Sequence, residues 1–140
     1  MLTGAVSGQC FGRFDIVHYG HINMLKYCAD RCDILCVGIA TDHYCNARNI
    51  PCVRTWQDRA SVIQAIKGVD FVFAYDDHDP LVLWNNRKTD AIFLNPEHRD
   101  DPVYTAVLPK LVEETKIFWI PRTPGISGDW IKGRIVEADD

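Results

Sequence analysis

Short apolar runs alternate with helix-length segments along this chain, and no other feature constrains its fold as strongly. The clearest run, Ile34–Ala40, is apolar on both faces of the strand that it predicts. Similar runs predict further strands at Ala5–Phe11, Phe71–Ala74, Ala91–Leu94 and Ile117–Ile120. Strands that alternate with helices through short connections form a parallel sheet. We therefore expect one α/β domain over residues 1–140, with a parallel sheet of about five strands and helices on both faces.

Several segments carry helical signals, which are a helical spacing of apolar residues, a capping residue or a proline that can open a helix. They are Gly20 to about Ala29, Gln57–Lys67, a segment opened by Pro80, Pro102–Glu114 and Trp130–Val136. Thr55 would cap the second of these helices and Gly68 would end it, and residues 121–128 are predicted to form a loop. Sheets of this kind bind ligands beyond the carboxyl ends of their strands, so we expect a site in the loops that follow the strands.

Charge and hydropathy narrow the class of function. The net charge of −4 argues against general nucleic-acid binding, although an acidic protein can still hold a locally positive cleft for an anionic small substrate. No apolar run approaches the roughly 20 residues that span a bilayer. The first residues lack the basic and apolar regions of a signal peptide. We therefore expect a cytoplasmic protein whose partners include neither nucleic acid nor membrane.

All the cysteines lie in the first part of the chain, and no two of them form a Cys-x-x-Cys pair. They are Cys10, Cys28, Cys32, Cys36, Cys45 and Cys52. Free cysteine is among the most buried residue types, so we expect reduced and mostly buried thiols. A metal or redox role is the alternative.

The loop after the first predicted strand carries the strongest chemical signal. His18 and His21 are three residues apart where a helix begins, so both can project from its first turn. Free backbone N–H groups and the helix dipole attract anions there, and Gly12 and Gly20 allow a close approach of the backbone to a ligand. This arrangement suits phosphate recognition and the stabilisation of charge on a transferring phosphoryl group. A zinc site, which would need further ligands, and two structural histidines are the alternatives that the residues alone leave open.

Four segments resemble motifs of the cytidylyltransferase-like nucleotidyltransferases. Residues 12–21, Gly-Arg-Phe-Asp-Ile-Val-His-Tyr-Gly-His, resemble the family's Gly-x-Phe-Asp-x-x-His-x-Gly-His signature. Ala-Thr-Asp at residues 40–42 resembles the segment after its second strand, and Trp-Gln-Asp-Arg at residues 56–59 its helix with a phosphate-binding arginine. Pro-Arg-Thr-Pro-Gly-Ile-Ser at residues 121–127 resembles an Arg-Thr-x-Gly-Ile-Ser motif that is most typical of glycerol-3-phosphate cytidylyltransferases.

The resemblance implies a Rossmann-like fold, a homodimer, and the transfer of CMP from CTP to the phosphate or phosphonate of a small molecule, with Mg²⁺ accompanying the triphosphate. His18 and His21 would be catalytic and stabilise charge on the α- and β-phosphates. The implied nucleotide-binding residues are Gly12, Arg13, Phe14, Asp15, Gly20, Arg59, Arg122, Thr123, Gly125, Ile126 and Ser127. Residues that could contact the acceptor or the base are Asp42, Arg48, Arg54, Asn95, Glu97 and His98. No protein ligand to a metal is implied.

Departures from the family pattern affect the substrate contacts. Arg13 stands where the family commonly has threonine, so a long cation replaces a small hydroxyl beside the phosphates. The loop after the second strand often carries lysines in the family. Here the basic residues are Arg48 and Arg54, and Ile50 lies between them. We expect the triphosphate or the acceptor to be held differently in this chain.

Two further departures lie in the second half of the chain. Leu-Asn-Pro-Glu-His at residues 94–98 replaces an acidic segment that lies near the base in the family, and Ser-Gly-Asp at residues 127–129 replaces Ser-Thr-Thr. We expect an unusual acceptor, such as a polyol phosphate, an amino-alcohol phosphate or a small phosphonate. An adenylyltransferase that uses ATP and a catalytically weak nucleotide-binding module are the alternative functions.

Overall fold

Five parallel strands form a single sheet in the computed structural model, which describes residues 4–122. In chain order the strands are β1 Ser7–Gly12, β2 Ile34–Ala40, β3 Phe71–Tyr75, β4 Ala91–Leu94 and β5 Lys116–Trp119. Their order across the sheet is β3-β2-β1-β4-β5, and every neighbouring pair is parallel. The predicted sheet is confirmed, with strand ends that differ by a few residues. The direction of strand addition reverses between β1 and β4, which is where such sheets open a crevice for ligands.

Helices connect the strands, and most of them begin at a side-chain cap. They are α1 Tyr19–Ala29, α2 Asp42–Ala47, α3 Trp56–Gln64, α4 Pro80–Asn86 and α5 Pro102–Glu114, with a 3₁₀ turn at Pro96–His98. The predicted cap at Thr55 is confirmed, because its hydroxyl accepts a hydrogen bond of 3.2 Å from the Asp58 N–H. Helix α3 ends at Gln64 rather than at Lys67, because the chain passes there into i to i+3 hydrogen bonds. The predicted helix over residues 130–136 lies outside the described residues.

The two faces of the sheet carry separate cores, because successive strand residues point to opposite sides. Cys10 and Phe93 pack with residues of α1 and α3 on one face. Phe11 and Ile92, their neighbours in sequence, pack with α4 and α5 on the other face. The predicted helices on both faces are therefore confirmed.

The cysteines are free and mostly buried, as the sequence predicts. All six cysteines are unpaired, and four of them are buried, namely Cys10, Cys28, Cys36 and Cys45. No helix within residues 4–122 is long and apolar enough to cross a membrane.

Candidate active site

A cavity of about 380 Å³ opens at the carboxyl end of the sheet, and each of the five loops predicted to hold a site contributes to its wall. The predicted site residues that line it are Gly12, Arg13, Phe14, Asp15, His18, Gly20, His21, Arg48, Asn95, Glu97, His98 and Arg122. Asp42, Arg54 and Arg59 do not line it. Thr123, Gly125, Ile126 and Ser127 lie outside the described residues.

The turn after β1 is shaped by Phe14. This residue has a φ of 52°, in the left-handed region, and its ring is only 2% exposed. A Cβ atom at Gly12 would lie 2.8 Å from the Phe14 ring, so only glycine fits there. The same ring packs against the His21 imidazole, with centroids 5.2 Å apart. Phe14 therefore fixes both the turn and the position of His21.

The two histidines form a reciprocal cap at the start of α1. His18 Nδ1 accepts a hydrogen bond of 3.1 Å from the Gly20 N–H, and His21 Nδ1 accepts one of 3.3 Å from the His18 N–H. The two imidazole rings stack with centroids 4.0 Å apart. Because both Nδ1 atoms act as acceptors, each neutral ring carries its proton on Nε2. Neither Nε2–H takes part in the cap, and both residues line the cavity.

Both imidazoles are held in the neutral form. Burial, followed by the charges of His18 and Arg13, lowers the pKa of His21 to about 4. Burial also lowers the pKa of His18. Among the described residues, His18 Nε2 is one of two buried side-chain atoms that have no hydrogen-bond partner. A donor in a cavity wall that lacks a hydrogen-bond partner in the protein is suited to binding a phosphate oxygen.

Arg13 and Asp15 attach the turn to the loop that follows α2. Arg13 Nη1 donates to the Ile50 carbonyl at 3.2 Å. The Asp15 carboxylate accepts hydrogen bonds from the N–H groups of Val53 and Arg54, at 3.0 and 3.1 Å. Asp15 is buried, and in this structure it organises the loop.

Arg59 lies beneath the cavity and is fully buried. Its Nη1 donates to the Arg13 carbonyl at 2.7 Å, its Nε to the Arg54 carbonyl at 3.2 Å, and its Nη2 to Asp42 Oδ1 at 2.7 Å. The hydrogen bond from Arg59, followed by one from the Trp56 N–H, lowers the pKa of Asp42. The sequence predicts that Arg59 contacts phosphate. In the structure its guanidinium instead forms hydrogen bonds with α2 and with the turn after β1.

Another part of the cavity wall contains His78 and Tyr104, which the sequence pattern does not indicate, beside the predicted residue His98. His78 Nε2 lies 2.6 Å from Asp101 Oδ2, and His98 Nδ1 lies 3.8 Å from the same oxygen. The His98 ring stacks on Tyr104, with centroids 4.7 Å apart. The hydrogen bond from His78 lowers the pKa of Asp101, and burial lowers the pKa of His98. The available signal was the Asp-Asp-His-Asp run at residues 76–79, which follows a predicted strand.

The remaining predicted residues lie on the rim and floor of the cavity. Arg122 Nη1 and Glu97 Oε2 form an ion pair of 3.6 Å, with both side chains at least half exposed. Asn95 Nδ2 donates to the Phe11 carbonyl at 3.4 Å, and the Arg48 guanidinium lies over the Tyr44 ring. The cavity lining thus combines the neutral imidazoles of His18 and His21, several arginines, and the imidazoles of His78 and His98.

Several known proteins are similar to this chain in sequence. A family model described as cytidylyltransferase-like matches residues 9–132. A glycerol-3-phosphate cytidylyltransferase of Bacillus subtilis (strain 168) is 29% identical over 128 residues, which cover 89% of this chain and 93% of that protein. A bifunctional protein HldE of Granulibacter bethesdensis is 29% identical over 102 residues, and the match covers 71% of this chain but only 21% of that protein.

A solved structure resembles the fold over most of the chain. It is a lipopolysaccharide core biosynthesis protein of Thermoplasma volcanium GSS1, with a TM-score of 0.73 and 26% identity. The likeness covers 86% of this chain and 99% of that one.

Proposed function

This chain belongs to the cytidylyltransferase-like family, and from that premise we propose that it transfers CMP from CTP to the phosphate or phosphonate of a small molecule. An oxygen of the acceptor attacks the α-phosphorus of CTP and forms a new P–O bond. The bond from the α-phosphorus to the bridging oxygen breaks, and pyrophosphate leaves in line. Little covalent chemistry falls to the protein, so its contribution is positioning and electrostatic stabilisation.

The observation that carries this proposal is the pair of neutral imidazoles at the start of α1. Their Nδ1 atoms are used in the cap, which leaves two Nε2–H donors fixed before a substrate arrives. Fixed donors stabilise charge that develops on phosphate oxygens without reorganisation during the reaction. Arg13 and Arg48, which also line the cavity, would balance the charge of the triphosphate.

The wall that carries the histidine pair suits phosphate oxygens better than Mg²⁺, which prefers oxygen ligands. The nearby carboxylates of Asp15 and Asp42 accept hydrogen bonds from protein donors. We therefore propose that Mg²⁺ enters bound to the triphosphate and that no protein side chain at this wall holds it. The ion would supply neutralising charge to the departing pyrophosphate.

Cytosine is proposed over adenine on two grounds. The motif at residues 121–127 is typical of glycerol-3-phosphate cytidylyltransferases, and a protein of that name matches nearly the whole chain. The residues that would read the base are Asn95, Glu97 and His98, on the loop after β4.

Pyrophosphate release tests the proposal. The full chain is incubated with CTP, ATP or GTP, each with Mg²⁺, and with a panel of polyol phosphates, amino-alcohol phosphates and phosphonates. We expect release with CTP and at least one acceptor. Release with ATP alone would make the protein an adenylyltransferase instead.

Thermal stability separates an enzyme from a binding module. A nucleotide at about 100 times its dissociation constant stabilises the folded state by roughly 2.7 kcal/mol. If CTP stabilises the protein but no acceptor gives pyrophosphate release, the proposed transferase activity would be overturned. The chain would then be a nucleotide-binding module.

A further inference from the structure

His78 and His98 line the cavity and Asp101 lies beside them, so three ligand-type side chains come together there. His78 follows β3, His98 ends the 3₁₀ turn after β4, and Asp101 caps α5, so three separate segments supply them. One donor atom from each residue lies within 4.8 Å of the other two. Within residues 4–122 no other group of three His, Cys, Asp or Glu side chains meets this spacing.

Each member of the group is also oriented by a second contact that does not involve the donor atom facing the group. Asp101 Oδ1 accepts a hydrogen bond of 2.9 Å from the Val103 N–H, so Oδ2 alone turns toward the imidazoles. The rings of His78 and His98 both pack on the buried Tyr104, with centroids 5.2 and 4.7 Å from its own. Outer contacts that fix ligand orientation are typical of metal sites.

A hydrogen-bonded His78–Asp101 pair explains only part of this arrangement. His98 Nδ1 lies 3.8 Å from Asp101 Oδ2, which is too long for a hydrogen bond. Ligands bound to one tetrahedral ion at about 2.0–2.1 Å would lie roughly 3.3 Å apart, so modest rotations of the rings would complete the site. The Asp77 side chain also lines the cavity beside His78 and adds negative charge that favours a cation.

We propose that His78, His98 and Asp101 form a binding site for one divalent transition-metal ion, with Zn²⁺ or Co²⁺ as suitable occupants. Two imidazoles and one carboxylate suit such ions and leave coordination positions open. Because both histidines line the cavity, the open positions would face it. An anionic oxygen of the second substrate could fill them, and this last step alone rests on the proposed function.

Cobalt binding tests the site without any nucleotide. Co²⁺ is titrated into the metal-free full chain and followed by visible absorption, and Zn²⁺ is titrated by calorimetry. We expect one ion per chain and a spectrum of nitrogen and oxygen ligation. His78→Ala and His98→Ala should each weaken binding by at least about 10-fold. His43→Ala, which removes an exposed histidine on α2, should leave the affinity unchanged.

Cysteine ligation is the competing explanation, because Cys45 and Cys52 lie with their sulfurs 3.8 Å apart. A thiolate-to-cobalt absorption band that disappears in Cys45→Ser/Cys52→Ser would overturn the proposal. Unchanged affinity in a folded His78→Ala/His98→Ala double variant would overturn it too. Asp101→Asn keeps an oxygen for the α5 cap and should still weaken binding, which separates loss of a ligand from loss of the fold. The metal titration is independent of the reaction, so pyrophosphate release by the metal-free protein would not change its outcome.

Discussion

His21 performs two tasks with its two ring nitrogens. Its Nδ1 completes the cap of α1, and its Nε2–H is left for the cavity. A side chain that serves only a cap could be replaced by many acceptors, but a fixed donor at neutral pH requires the imidazole in this tautomer. The stacking on His18 and the contact with the Phe14 ring keep that donor in one place.

His21→Ala should lower turnover by at least about 100-fold, because loss of a fixed donor to a developing charge costs on the order of 3 kcal/mol. The lost cap interaction should cost only about 1 kcal/mol of stability, so the fold should persist. Steady-state pyrophosphate release and circular dichroism measure the two effects. His43→Ala is the control, since this exposed histidine lies outside the cavity. A folded and fully active His21→Ala protein would contradict the assignment of the site.

The pKa of His21 gives the fold a dependence on pH. The unfolded chain binds a proton at this histidine near pH 6.5, whereas the folded chain binds it only near pH 4. Between these values the unfolded state holds more protons, so the free energy of unfolding should fall as the pH is lowered from about 6.5 to about 4. His21→Gln keeps an acceptor at the capping-box position and removes the titration. Urea unfolding of this variant should therefore show a shallower dependence over that range, and equal slopes would contradict the predicted shift.

At the scale of elements, Arg59 links helix α3 to helix α2 and to the turn after β1. Its three hydrogen bonds reach Asp42 and the carbonyls of Arg13 and Arg54. The sequence pattern predicted a phosphate contact because this arginine matches the family's motif. Sequence cannot reveal that the guanidinium is enclosed, because α2 was too short for its six residues to show a helical periodicity.

Arg59→Met should destabilise the protein by about 2–3 kcal/mol, since it leaves buried acceptors without donors. The half-exposed Asp42 keeps access to water, so the full cost of a broken buried ion pair is not expected. Lys67→Ala, an exposed change just beyond α3, should alter stability by less than about 0.5 kcal/mol. Chemical denaturation measures both. If Arg59→Met left the stability unchanged and abolished CTP binding, the result would support the phosphate contact that the sequence predicts.

Whole-molecule features were more predictable than the contacts inside the site. The five strands follow from apolar runs, and the site loops follow from the general rule that such sheets bind ligands at their carboxyl ends. The histidine pair could be predicted because His18 and His21 lie close together in the sequence. The group of His78, His98 and Asp101 was not found as a unit, because its members meet only through the packing of α4 and α5 on one face of the sheet.

The cavity is less acidic than the molecule as a whole. The chain carries −4 overall, whereas the three arginines that line the cavity, Arg13, Arg48 and Arg122, equal its acidic lining residues in number. Raising the salt from about 0.1 M to about 1 M shortens the Debye length from about 10 Å to about 3 Å. CTP affinity, measured by calorimetry, should therefore fall by roughly 10-fold or more. Arg48→Gln should reduce this salt dependence, whereas Lys110→Gln, on the exposed face of α5, should not. Salt-independent binding would show that these cations do not contact the triphosphate.

The cavity is assembled from separate stretches of chain that meet at the carboxyl end of the sheet. The histidine pair is encoded within residues 12–21, whereas His78, His98 and Tyr104 come from residues 77–104. Mutations in one stretch can accumulate with little effect on the packing of the other. On the proposed function, a lineage could therefore change the second stretch, and with it the substrate contacts, while it inherits the histidine pair intact.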